Sequence, residues 1–327
     1  MNQVPRREHL PSTRVRSALG RFLSERLKVP RGAGIANLKW RGEGLFYTVF
    51  AFGLADAGAR SGSYVIRVVN PGIKDEGARD RMVRASRLLE LLDPKEGLAP
   101  ECLGSDETGE YLGLPFTIET FIEGIPLSEA PKEPQKQLPL AARELARVHQ
   151  VLVSPRMHRL FPTREPFAEG ELERTRQAVK GLPETPEVLS AALEVAIRLR
   201  PSPREPRLLH GDPLLQNLIL RIDFERRDDS YVWIDWEFAR LGDPAYDLSI
   251  FTRGQFGNLY GLKGGRSLYR DAYQGHSGIP VEEERLLFYE LLLVIRRTGD
   301  LIREGRNMRA QEEGRRLEKL VLRARKS

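Results

Sequence analysis

Residues 208–249 read LLHGDPLLQNLILRIDFERRDDSYVWIDWEFARLGDPAYDLS, and this stretch decides the fold. Three of its side chains can carry chemistry: Asp212, Asn217 five residues later, and Asp235. Leu218 to Ile222 is a short apolar run, and so is Tyr231 to Ile234. The polar DFERRDDS between them predicts a hairpin, which would bring Asp235 back towards Asn217. A carboxylate and an amide oxygen suit Mg²⁺, a hard cation with oxygen ligands that leaves room for phosphates. Asp212, ahead of the first strand, would then face the group that attacks the phosphate.

Three pieces, His210-Gly211-Asp212 with Asn217, Ile234-Asp235-Trp236-Glu237, and Gly242-Asp243-Pro244 with Asp247-Leu248, stand in one order. Together they resemble the signature of the aminoglycoside phosphotransferase and choline kinase group, distant relatives of the protein kinases. In protein kinases the catalytic loop supplies an Asp for the substrate hydroxyl and an Asn for the metal, and a second metal-binding Asp follows. The resemblance implies a two-lobed protein-kinase-like α+β fold, with a small antiparallel sheet in the N-terminal lobe and a mostly helical C-terminal lobe. It implies residues 1–123 as the nucleotide-binding lobe and 124–327 as the catalytic and acceptor-binding lobe. The implied reaction moves the γ-phosphoryl group of ATP or GTP to a hydroxyl of a small molecule. Asp212 would be catalytic, and Asn217 and Asp235 would hold Mg²⁺. The plainer reading, in which Asp212 and Asp243 merely cap turns, explains one motif better than both in order.

Composition sets the bounds. The chain has 327 residues, ordinary apolar content, and a net charge of +6. That length suits one large or two medium domains. A basic balance could point to nucleic acid. The tail from Arg303 has no aromatic interleaving, however, so attraction of a polyanionic nucleotide is preferred and nucleic acid is not expected as a partner. The single cysteine, Cys102, excludes an internal disulfide and is compatible with a reducing cytoplasm, the expected location. Neither a signal-peptide core nor a stretch long enough to span a bilayer is visible. Oligomeric state is not legible.

Taken in order, residues 13–29 read as a helix with Ser12 or Thr13 as its cap. LKWRGEGLFYTVFAFGL reads as two strands, with Gly42 and Gly44 at a turn that would expose backbone to phosphates. SYVIRVVN is a strand. The resemblance places a phosphate-binding Lys in it, paired with a Glu on the next helix. Here Arg67 occupies the first position and the second falls near Ala85, with Glu76 or Asp80 as substitute braces. Arg is not a neutral replacement for Lys. The changed pair motivates a second reading, a nucleotide-binding pseudokinase without transfer, and the intact Asp212, Asn217 and Asp235 oppose it. By resemblance, Glu119 would offer its carbonyl and Phe121 its N–H to the adenine edge. His149, on the apolar face of a helix over 138–152, reads as a core residue, and His210 as a brace of the catalytic loop. Helices are expected over 74–92, 169–179, 188–199 and 282–302, with a charged terminal helix after Arg303. Glu282, Glu283, Glu284, Glu290 and Asp300 are candidates for an acidic acceptor pocket, although their spacing also fits helix surface pairs. The acceptor itself stays open: aminoglycosides, choline, sugars, amino alcohols and macrolides are used by similar enzymes.

Overall fold

The structure is a computed structural model and describes residues 10–30, 33–44, 46–71, 77–131, 133–163, 165–182, 186–221, 230–255, 262 and 264–325. The chain divides into two compact units, one formed by residues 1–125 and 220–237, the other by 126–219 and 238–327. The expected division at 123/124 therefore moves by two residues. The segment carrying Asp235 also joins the first unit instead of the second. Its anchor is visible: the Trp233 amide donates to the Leu98 carbonyl at 3.0 Å.

In the first unit, helix α1 (Ser12–Glu25) precedes a five-stranded sheet. The strands are β1 (Gly34–Glu43), β2 (Tyr47–Ala55), β3 (Gly62–Val69), β4 (Cys102–Asp106) and β5 (Phe116–Thr120), in the order β1-β2-β3-β5-β4 with antiparallel neighbours. Helix α2 (Gly77–Leu89) sits between β3 and β4 in sequence. Pro11, in extended conformation, occupies the N-cap of α1 with no side-chain cap, so the expected Ser12 or Thr13 cap is not made. The apolar positions Val15, Leu19, Phe22 and Leu23 recur at helical spacing and share one core with Phe50, Ile66, Val68, Phe116 and Ile118. Strand alternation turns the intervening residues to the other face. There Tyr47 and Val69 pack with Ala78 and Met82 of α2. Arg67 has the parity of Val69 and so belongs to this second face.

The hairpin after the catalytic loop is present. Its strands are β8 (Leu218–Arg221) and β9 (Ser230–Trp233), neighbours in a small sheet that also holds β6 (Gly124–Pro126). Most of the polar turn between them, and Glu76, lie outside the described residues.

The second unit is mainly helical. It contains α3 (Pro134–His149), α4 (Pro155–Leu160), α5 (Phe167–Lys180), α6 (Glu187–Arg198), α7 (Pro244–Gln255), α8 (Gly265–Ser277), α9 (Glu283–Arg303) and α10 (Asn307–Ala324). Two short strands, β7 (Arg207–Leu209) and β10 (Arg240–Gly242), pair antiparallel and flank the catalytic loop. The apolar run on α9 is central: Leu286, Leu287, Phe288, Leu291, Leu292, Val294 and Ile295 are all fully buried. Helices α4 and α8 were not expected from the sequence.

Candidate active site

The loop that carries Asp212 leaves β7 at Leu209, which pairs across from Arg240 of β10. Gly211 has φ +84°, a conformation that costs an L-residue about 1–2 kcal/mol. A Cβ there would come closer than 3.0 Å to the Phe238 carbonyl and Cβ, so nothing larger than Gly fits. The amides of His210 and Gly211 donate to the two oxygens of Asp247, at 2.8 and 3.0 Å. Asp247 lies in the first turn of α7 and is wholly buried. It therefore anchors the loop rather than capping the helix. Its carboxylate also meets His149 Nε2 at 3.1 Å, while His149 Nδ1 meets the Tyr273 hydroxyl at 2.7 Å. His149 is thus a satisfied core residue, as its setting on an apolar helix face suggested. His210 Nδ1 accepts from the Asp212 amide at 3.3 Å, the bracing role expected of it.

Asp212 itself is partly exposed. Asn217 donates through Nδ2 to the Asp212 carbonyl at 3.0 Å and to its Oδ2 at 2.9 Å. That orientation turns the Asn217 Oδ1 away from Asp212, and an amide oxygen is the atom a hard cation would take. Asp243 caps α7 through the Ala245 amide at 3.1 Å and is itself held by Arg285 at 2.5 Å and the Tyr289 hydroxyl at 3.0 Å.

In the first unit Asp235 has φ +68°, a left-handed turn that Asp tolerates better than most residues. Arg67 pairs directly with its carboxylate. The guanidinium also lies 3.9 Å from Glu119 and 4.9 Å from the Tyr47 ring centroid. Sheet register explains the set. Arg67 pairs with Val49 and Thr117, so Tyr47 and Glu119, each two residues along, are its diagonal neighbours on the same face. Burial lifts the Glu119 carboxyl above the usual carboxylate range despite Arg67. The Arg67 guanidinium is held charged by Asp235 and Glu119 against the effect of burial. Among the described residues its acidic partners are these two and not Asp80, which is exposed. Sequence reasoning missed Glu119 as a side-chain brace, because the β3–β5 register that brings it beside Arg67 is not written in either strand. It missed a second contact as well: Arg81 of α2 reaches Glu237 at 3.9 Å and stacks over Phe46, 4.2 Å from the centroid. Burial and the neighbouring Asp235 push the Glu237 carboxyl up to about 7.

Three expectations change. Gly42 lies within β1 opposite Val49, beside a register shift, and not at the turn. The turn falls at Gly44, whose amide donates to the Tyr47 carbonyl at 2.8 Å and whose carbonyl accepts from Asn70 at 3.0 Å. The Phe121 N–H donates to the Ser63 carbonyl at 2.9 Å, extending the β3–β5 ladder, so it is not a donor awaiting an adenine edge. The acidic candidates on α9 are engaged by arginines: Glu290 by Arg266, Glu283 by Arg266, Arg270 and Arg323, and Asp300 by Arg303. Glu282, just before α9, pairs with Arg204 and Arg285. These four form surface and inter-helix pairs rather than an acidic pocket.

A small antiparallel sheet with its helices, a mainly helical unit, and an Asp–Asn catalytic loop followed by a second Asp after a hairpin define a protein-kinase-like phosphotransferase. The sequence agrees: the phosphotransferase enzyme family matches over residues 48–287, and the chain belongs to that family. No curated protein sequence matches the chain. Among solved structures it is similar to a protein of Ralstonia eutropha JMP134 provisionally assigned as an aminoglycoside phosphotransferase. Identity is 20%, coverage is 93% of this chain and 95% of that one, and the TM-score is 0.65. It is similar to a thermostable mutant of aminoglycoside phosphotransferase APH(4)-Ia, solved with ADP and hygromycin B (18% identity, 94% and 98% coverage, TM-score 0.63). It also resembles a choline/ethanolamine kinase family protein from Mesorhizobium loti (18% identity, 94% of both chains, TM-score 0.58). At these identities the likeness speaks for the fold. Among the described residues no helix is long and apolar enough to cross a membrane.

Proposed function

We propose that this protein transfers the γ-phosphoryl group of ATP or GTP to a hydroxyl of a small molecule, in the cytoplasm and with Mg²⁺. The observation that carries the reading is the fixed catalytic loop: Asn217 holds the Asp212 carboxylate while Asp247 holds the loop backbone. In this reading Asp212 orients the acceptor hydroxyl and takes its proton as the new O–P bond forms and the bond to the β-phosphate oxygen breaks. The transition state of such transfers is loose, so position matters more than basicity.

The donor set fits a hard cation, with the Asn217 Oδ1 and the Asp235 carboxylate as ligands. When bound there, Mg²⁺ would offset charge on the β- and γ-phosphates. Arg67 is proposed to move from Asp235 to the α/β-phosphates as nucleotide enters, with Glu119 keeping it oriented. Gly44 would let the phosphate loop backbone approach.

One observation favours the alternative of nucleotide binding without transfer: Arg67 occupies the carboxylate a metal would need. The separating experiment is an acceptor screen with Mg·ATP and Mg·GTP, reading nucleoside diphosphate release. Asp212→Asn should abolish acceptor-dependent release and retain nucleotide binding. Near wild-type turnover in that variant, with an identified acceptor, would overturn the assignment.

A further inference from the structure

Beside the catalytic loop, within the second unit, lies a charge cluster the mechanism above does not use. Glu171 of α5 is fully buried. Its carboxylate receives Arg296 of α9 at 2.6 Å, Arg240 of β10 at 3.1 Å, and Arg174 one turn along its own helix. Burial alone would raise the Glu171 carboxyl, yet the three arginines hold it below the ordinary range. Three guanidinium groups thus answer a single carboxylate, and the cluster keeps a positive excess.

The place is as telling as the charge. Arg240 pairs across from Leu209, three residues before Asp212, and its Nε donates to the Phe238 carbonyl at 3.4 Å. That carbonyl is the one against which Gly211 is packed. The cluster is also rigid. Arg240 stacks over Tyr246, 4.9 Å from the centroid, and Arg296 donates to the Tyr246 hydroxyl at 3.3 Å. Phe167 sets its ring edge-on to Tyr246 at 5.4 Å and lies so close to Gly242 that a Cβ there would clash with it. Donors remain. Arg240 spends Nε and Nη1, and Arg174 spends Nε and Nη2; the other terminal nitrogen of each has no hydrogen-bond partner among the described residues. The side chains are 24% and 57% exposed, so these donors reach solvent.

We infer that Arg240 and Arg174, held in place with Arg296 by Glu171, form an anion subsite of the acceptor, and that the acceptor is an alcohol bearing a carboxylate or phosphate group. The remaining terminal nitrogen of each guanidinium can give a charge-assisted hydrogen bond to an oxygen of either group. A fixed positive cluster one strand residue from the catalytic loop repels a polyamine and attracts an acid. Glu171 is the buried counter-charge that keeps the three forks aimed without neutralising them. This inference rests on the phosphotransferase reading and narrows its substrate class.

The test uses the full chain with Mg·ATP and reads diphosphate release above the acceptor-free rate. Acceptors come in matched sets: a hydroxy acid, a phosphorylated alcohol, the neutral alcohol of each, and a polyamino sugar. The anionic member should be preferred over its neutral partner by about tenfold or more in kcat/KM, the worth of one charge-assisted hydrogen bond. The carboxylate and phosphate arms tell which acid is meant. Arg240→Gln and Arg174→Gln should erase most of that preference. Arg174 is the more exposed, so its variant decides if Arg240→Gln fails to fold. A preference for the neutral or polyamino member overturns the inference, and so does an unchanged preference in folded Arg174→Gln. Should no member of the set react, titration calorimetry with inorganic sulfate decides, with the nucleotide site filled by Mg·AMP-PNP. Sulfate binding that Arg174→Gln weakens supports the subsite, and no binding by the wild type overturns it. Failure of the phosphotransferase reading shows separately, as no diphosphate release above the acceptor-free rate with any acceptor, charged or neutral, whatever the sulfate result.

Discussion

Gly211→Ala tests whether the catalytic loop is held as described. Its φ of +84° charges an alanine about 1–2 kcal/mol. The added Cβ would also overlap the Phe238 carbonyl, and that neighbour is backbone, which cannot swing aside. Either the loop or residue 238 must retreat. A retreating loop loses at least one of the two amide bonds to Asp247, now 2.8 and 3.0 Å, and a bond to a buried carboxylate contributes about 1.5–3 kcal/mol. The sum is a destabilisation of about 2.5–5 kcal/mol. Asp212, the next residue, would move with the loop, and a displacement of about 1 Å costs on the order of a hundredfold in rate. Denaturant unfolding gives the first quantity and acceptor-dependent turnover the second. Gly275→Ala is the control: it lies inside α8 with nothing within 4 Å of a new Cβ, and should stabilise by about 0.5–1 kcal/mol. If Gly211→Ala unfolds within 1 kcal/mol of wild type, roughly the strain alone, the close approach to Phe238 does not exist and the loop is held otherwise.

Arg67→Ala leaves Asp235 and the buried Glu119 without their cation, and Mg·AMP-PNP affinity should fall about 10- to 100-fold by calorimetry, with Arg67→Lys between; unchanged affinity in the alanine variant would remove Arg67 from the nucleotide site. Asp247→Asn keeps the size but removes the charge that holds His210, Gly211 and His149, and should cost about 1.5–3 kcal/mol with a matching loss of turnover. Glu171 sets a pH dependence. Its folded-state pKa lies below the unfolded one, so its contribution is complete above the ordinary carboxylate pKa of about 4.3 and is lost as pH falls through the depressed value. Acid unfolding of the wild type should therefore steepen below about pH 4.3, and Glu171→Gln, less stable at pH 7, should flatten that limb; parallel acid limbs in the two proteins would contradict the ion cluster.

Much of this was legible because motif residues act through local geometry. The order of Asp212, Asn217 and Asp235 named the family, and the two apolar runs around a polar turn named the hairpin. Helix α9 announced itself by continuous apolar spacing. What stayed hidden depends on pairings that no local pattern carries. Arg67 finds Glu119 through the β3–β5 register, which nothing in either strand alone specifies. Glu171 carries no local signal, because two of its arginines come from strand β10 and helix α9, 69 and 125 residues away. Helix α8 was missed because Gly265, Gly275 and two Arg residues dilute its apolar face, of which Tyr269 and Tyr273 are fully buried. Phe121 was misread because its amide, one residue past β5, is taken by the Ser63 carbonyl of the neighbouring strand, a pairing its own sequence does not carry.

The first unit is discontinuous in sequence, closed by residues 220–237. On a ribosome this sets a schedule. Residues 1–125 emerge first, but Arg67 then has a side chain facing Glu119 with no Asp235 yet made. A guanidinium and a buried carboxylate would wait, solvated and loosely ordered, while residues 126–219 are synthesised. At about 5–20 residues per second that delay is on the order of five to twenty seconds. The first unit therefore finishes late although its five-stranded sheet is made early, and in a fragment cut at residue 125 Arg67 would keep Glu119 but lose Asp235. Any attempt to express the first unit alone should graft residues 220–237 back onto it through a short linker.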